Sequence, residues 1–123
     1  DSMIARLCID RITNEEIELL HEKIESIRTA DSTSQAIQAA FEFQHEFALA
    51  SQNTLIPLVF QSFKAPIFTL WERFCALYGI QKLYESNYGL WLCIKARDTD
   101  GAIRYIEDSM RECIDGDLQI YYD

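Results

Sequence analysis

The chain has 123 residues, 49% of them hydrophobic and 25% charged, with four glycines and two prolines, which fits one compact core and leaves no room for a long disordered segment. Its 20 acidic residues against 11 basic ones give a formal charge of −9, a field that repels phosphate backbones, so this segment alone is not expected to bind DNA. The longest apolar run, Leu55 to Phe60, is interrupted by Pro57 and followed by Gln61 and Ser62, which argues against a membrane role, and no signal peptide is visible.

In chain order, Met3 to Ile9 reads as the last turns of a helix. Thr13-Asn14-Glu15-Glu16 is a capping box that opens a helix to about Arg28, with Ile17, Leu20, Ile24 and Ile27 on one face. After the punctuation Asp31-Ser32-Thr33-Ser34, Ser32 and Gln35 cap a second helix to about Ser51, whose inner face carries Ile37, Phe41, Ala48 and Ser51. Asn53-Thr54 caps a third, with Pro57 in its first turn, where a missing amide costs little. Pro66 falls inside the apolar stretch Leu55 to Leu77 and predicts a kink or a break into two pieces.

Gly79 marks the next boundary, and a helix from about Gln81 to Ala96 turns Leu83, Leu90 and Ile94 inward. Asp98-Thr99-Asp100-Gly101 forms a turn with a ready cap for a last helix, striped by Ala102, Ile103, Ile106, Met110 and Cys113. The tail from Asp117 to Tyr122 alternates as a strand would, but one strand alone is unstable, so it reads as a packed tail. The expected fold is all-α, an antiparallel bundle of about six helices filling residues 1–123 as one domain.

Three polar residues fall on apolar faces. Gln44 lies between Phe41 and Ala48, Asn87 between Leu83 and Leu90, and Ser109 beside Met110 and three residues after Ile106. A buried amide without a partner costs on the order of 1–3 kcal/mol, so these groups either form a satisfied core network or face a ligand. Aromatic rings are dense nearby in sequence: Phe60, Phe63, Phe68, Trp71 and Phe74, then Tyr84, Tyr88 and Trp91. They are core, or the walls of an apolar cavity.

The chemistry of catalysis is missing from the pattern. His21 and His45 sit beside Glu22 and Glu46 at rim positions, no nucleophile pairs with either, and there is no glycine-rich phosphate loop, so an enzyme is not expected. Cys8, Cys75, Cys93 and Cys113 stand singly, without CxxC or zinc spacing, and read as reduced thiols of a cytoplasmic protein.

The segment Ala40-Phe41-Glu42-Phe43-Gln44-His45-Glu46-Phe47-Ala48-Leu49-Ala50-Ser51-Gln52-Asn53 resembles the D-x-x-F-H-x-x-L-A-x-A-S-G-N signature of the FadR C-terminal domain family, in a register set by Ala48, Ala50, Ser51 and Asn53. Leu90 to Ala102, with Cys93-Ile94, Asp98 and Ala102, is similar to that family's H-x-x-I-x-x-A-I-x-x-x-D-x-x-x-A region, and Met3 to Ile27 is similar to the helices before it. The resemblance implies the effector-binding half of a GntR-family transcriptional regulator, acting as a homodimer and reaching DNA only through an N-terminal winged helix-turn-helix domain that does not precede Asp1 in this sequence.

Many such domains hold a divalent metal through one Asp and three His. In the register above Ala40 replaces the Asp, and Gln44, Asn87 and Ser109 replace the three His, while His45 is one residue out of register, so neither metal nor other cofactor is expected. The departure resembles the FadR branch itself, which lacks the metal and takes long-chain fatty acyl-coenzyme A. Leu58 to Phe74 and Gly116-Asp117-Leu118-Gln119-Ile120 add to that likeness. The implied effector is an acyl-coenzyme A or small organic acid, with Gln44, Asn87 and Ser109 bonding its polar end and Phe63, Trp71, Tyr84 and Trp91 as walls. The alternative is a ligand-free dimerisation or adaptor bundle whose amides bond only to one another.

Overall fold

The computed structural model describes residues 9–50, 55–105, 107 and 108, and all regular structure among them is helical. Five helices are described end to end: α1 (Asn14–Arg28), α2 (Thr33–Leu49), α3 (Leu55–Ser62), α4 (Lys64–Tyr78) and α5 (Ile80–Lys95). Residues 9–11, 99–105, 107 and 108 are helical as well. The expected packed tail, and the predicted stripe positions Ser51, Ile106, Met110 and Cys113, lie outside the described residues.

Local chemistry sets the helix starts. The Thr13 hydroxyl accepts from the Glu16 amide at 3.1 Å while the Glu16 carboxylate accepts from the Thr13 amide at 3.0 Å, closing the capping box. Ser32 Oγ accepts from the Gln35 amide at 3.2 Å to open α2. The apolar stretch breaks at Phe63, between α3 and α4, which puts Pro66 at the third residue of α4. There its absent N–H costs nothing and its ring avoids the carbonyl clash of a helix interior. Gly79 ends α4 at φ 88° and ψ 166°, backbone that side-chain-bearing residues avoid, and its amide donates to Cys75 O at 2.8 Å.

Helix α2 is central, touching each of the other four. Ala36, Ala39, Ala40 and Ala48 are buried along it, small enough to let neighbouring backbones approach. The interior falls into two clusters. One joins Ile9, Ile12, Ile17, Leu20, Ile24, Phe43, Phe47, Leu90, Trp91, Ile94 and Ala102; the other joins Ile27, Ala36, Ile37, Ala40, Phe74, Cys75 and Leu83. Tyr84 packs against both.

The N-terminal edge is tied to the end of α5 by Arg97, which has the left-handed backbone φ of 54°. Its guanidinium donates to Ile9 O and Ile12 O, each at 2.9 Å. Asp98 then takes up the turn role expected of it, its Oδ1 accepting from the Gly101 amide at 3.0 Å.

Candidate functional site

Asn87 is the one buried polar or charged residue among those described, 4% exposed. It falls on the inner face of α5 because Leu83 and Leu90, four before and three after, are both buried. Gln44 takes the matching place on α2, between Ala40 of one apolar cluster and Phe47 of the other. The two side chains meet: Gln44 Nε2 donates to Asn87 Oδ1 at 3.2 Å, and Asn87 Nδ2 donates to Leu83 O at 2.8 Å. A neutral amide pair thus sits at the seam of the two cores. Ser109 lies outside the described residues.

Of the four aromatic positions singled out from sequence, three line the interior. Trp91 is buried, donates from Nε1 to Ile17 O at 2.9 Å, and meets His21 at a tilt and Tyr88 edge-on, with ring centroids 4.7 and 5.9 Å away. Tyr84 is half-buried, with its ring 5.7 Å from that of Tyr88. Trp71 packs against the second core. Phe63 sits at the α3–α4 break and is 55% exposed, so it faces out where the other three face in.

An aromatic group on the other side of Gln44 carries no motif. Phe41 stacks on Phe60 at 4.7 Å and meets Phe68 edge-on at 5.5 Å, while His45 stacks on the same pair at 6.2 and 6.3 Å. Lys64 Nζ lies over Phe41 and Phe68 at 5.5 and 5.4 Å. The i,i+4 spacing of Phe41 and His45 was the available signal, but Phe60, Phe68 and Lys64 come from other helices and only the fold unites them.

Charge near the pair is held in place. Lys23 Nζ and Gln38 Nε2 each donate to Glu42 at 3.2 Å. Burial pushes the Glu42 carboxyl up, but the hydrogen bonds from Gln38 and Lys23 and the charges of Lys23 and Lys64 outweigh it, so the group is held below its ordinary value. Burial pushes the Cys75 thiol up to about 11, which keeps it neutral and unreactive. Cys93, half-buried, is also raised, by burial and then by Asp98.

Clefts open on the described surface. One, about 600 Å³, lies between α5 and residues 99–108, lined by Lys82, Ser86, Cys93, Asp98, Arg104 and Tyr105 among others. The second, about 490 Å³, lies between α1 and α2 beside Lys23, Gln38 and Glu42. Neither has Gln44 or Asn87 in its lining.

At the positions where the resemblance places metal ligands, Ala40 is a fully buried methyl and the Gln44 and Asn87 amides are bonded to each other. Neutral amides without carboxylate or imidazole do not fit a divalent metal. Among the described residues no helix is long and apolar enough to cross a membrane.

A family model described as FCD domain matches residues 1–112. No curated protein and no solved structure matches the chain.

Proposed function

Because the chain belongs to the FCD domain family, the effector-binding domains of GntR/FadR-type transcriptional regulators, we propose that it senses an acyl thioester such as fatty acyl-coenzyme A, or another small carboxylate metabolite. The polar end of the ligand would take the place each amide now holds on the other, with Gln44, Asn87 and Ser109 as its hydrogen-bonding groups. The apolar part would lie among Trp71, Tyr84 and Trp91, and Phe63 would turn in from the α3–α4 break. In this reading residues 1–123 are one sensory domain of a cytoplasmic homodimer, and DNA is contacted by a winged helix-turn-helix domain outside these residues.

The observation that carries the reading is the amide pair at the seam of the two apolar cores. Such a pair is a prepared polar contact with apolar surface on both sides. Parting it costs little: a net intramolecular hydrogen bond is worth about 1 kcal/mol, against about 8 kcal/mol for a ligand bound at micromolar affinity. An effector that enters there would separate α2 from α5, and it acts only through its different affinity for the open and closed arrangements.

Thermal-shift screening across acyl-coenzyme A chain lengths, free fatty acids and small organic acids tests the proposal. A true ligand at a hundred times its dissociation constant stabilises the domain by about 2.7 kcal/mol, a rise of several degrees for this size. The second reading, a ligand-free dimerisation or adaptor bundle, draws on the same contact, since the two amides already satisfy each other. It predicts that no compound in the series raises the melting temperature.

A further inference from the structure

Lys64 is the first residue of α4, at the end where a helix carries its partial positive charge and a further cation is disfavoured. Nothing in that turn offsets it: Phe63 at the N-cap gives no side-chain hydrogen bond, and the first turn holds no acid. Helix α3 ends just before it, but the carbonyls of Val59 and Phe60 there take Ser62 Oγ at 2.6 Å and the Phe63 amide at 3.1 Å. The Lys64 ammonium lies over the faces of Phe41 and Phe68, 5.5 and 5.4 Å from the ring centres. Its charge reaches Glu42, whose two oxygens already accept from Lys23 and Gln38.

A ring face holds a cation more weakly than a charge-assisted hydrogen bond to an anion does, so this ammonium can leave its rings for one. Lys64, Phe60 and Phe68 are all half-buried, which leaves the spot open to a ligand while limiting the screening of its charge. Phe41 precedes Gln44 by three residues on α2, so the two are neighbours on that helix. The groups proposed to bond the effector, Gln44, Asn87 and Ser109, are all neutral, and in a chain of net charge −9 an anion settles only against a local cation. Lys23 is bonded to Glu42, and Lys95, over Trp91 at 5.2 Å, is exposed and screened by water.

We infer that Lys64 is the counter-charge for an anionic group of the effector, a carboxylate or phosphate, and so selects acids over their neutral analogues. The inference rests on the effector reading of the proposed function and names the residue that reads the ligand's charge. On binding, the ammonium turns from the Phe41 and Phe68 rings to the anion, and the anion offsets the positive charge that Lys64 adds to the start of α4.

Calorimetric titration with matched pairs of probes tests this. Acids, from small organic acids to long-chain fatty acids, are each paired with their own primary amide, and acyl-coenzyme A with acyl-pantetheine, which lacks the phosphates; the first set reads a carboxylate, the second a phosphate. The proteins are the wild type, Lys64→Met, Lys64→Gln, Lys64→Arg and the control Lys95→Met, which removes another lysine held over a ring. Circular dichroism and melting temperature identify which variants keep the fold, and Lys64→Gln decides if Lys64→Met does not. The expected result is a wild type that binds the anion of at least one pair about tenfold or more tighter than its neutral partner. Lys64→Met and Lys64→Gln lose that preference without weakening the neutral partner, whereas Lys64→Arg and Lys95→Met keep it. A merely structural lysine would weaken both members of a pair alike. The assignment is overturned, and the effector reading stands, if the preference survives in a folded Lys64→Met or Lys64→Gln, is lost equally in Lys95→Met, or is absent from a wild type that binds the neutral partners as tightly. A wild type that binds no compound of either set overturns both.

Discussion

Asn87 makes two hydrogen bonds from a place where water does not reach, and each has a different consequence when it is removed. Asn87→Leu leaves the half-buried Gln44 amide without its partner, and Gln44→Met leaves the buried Asn87 oxygen unsatisfied. Each single change is expected to cost about 1–2 kcal/mol in chemical denaturation. The double variant should cost less than their sum by about 0.5–1.5 kcal/mol, because neither orphan remains. Additive effects would mean that the pair does not interact in solution.

Glu42 shows how a residue's surroundings reach the pH profile. Its folded pKa is depressed, so it contributes stability that is present above the ordinary carboxylate value of about 4.5 and is lost as pH falls through the folded value. Glu42→Gln should lower stability at neutral pH and flatten the acid limb, read as midpoints of urea denaturation from neutral pH downward. An unchanged acid limb would remove Glu42 from the account. The pair Gln44–Asn87 was visible in the sequence as two inward amides. Their mutual bond was not, because it joins residues 43 apart and helical spacing says nothing about which helix faces which.

Among the elements, the ones with chemical punctuation were legible. Thr13 and Glu16, Ser32 and Gln35, the break that Pro66 requires, and Gly79 all act within a few residues, and the helix bounds follow them. The stretch from Leu55 to Leu77 was legible as helix but not as faces, since a nearly continuous apolar run has no periodicity to read. That is why Phe63 reads as a pocket wall in sequence while the fold leaves it more than half exposed.

Arg97 was not legible at all, because its partners are backbone carbonyls some 85 residues away. It braces α5 to residues 9–12 in a backbone conformation that few residues other than glycine adopt. Arg97→Ala is expected to cost about 1–2 kcal/mol and to speed hydrogen exchange at the amides just after Ile12. Arg97→Gly should lose less, since glycine relieves the backbone strain. Unchanged exchange in both would show that the brace carries no load.

At the scale of the molecule, α5 carries Asn87 at the seam, Trp91 bonded to α1, and, just past its end, Arg97 bonded to the N-terminal edge. In the proposed reading, a ligand that parts α2 from α5 would pull on the Trp91 and Arg97 contacts. The bundle itself followed from composition and spacing, whereas the two-cluster interior did not, since it depends on which faces pair across α2. The most direct measurement is the side-chain NH2 region of a nitrogen-15 correlation spectrum, recorded with and without the acyl thioester or acid that most raises the melting temperature. If the ligand enters at the seam, the signals of both Gln44 and Asn87 move on saturation while those of exposed Gln61 and Gln81 stay. A stabilising ligand that leaves both amide signals in place, or a series in which nothing stabilises the domain, would contradict it.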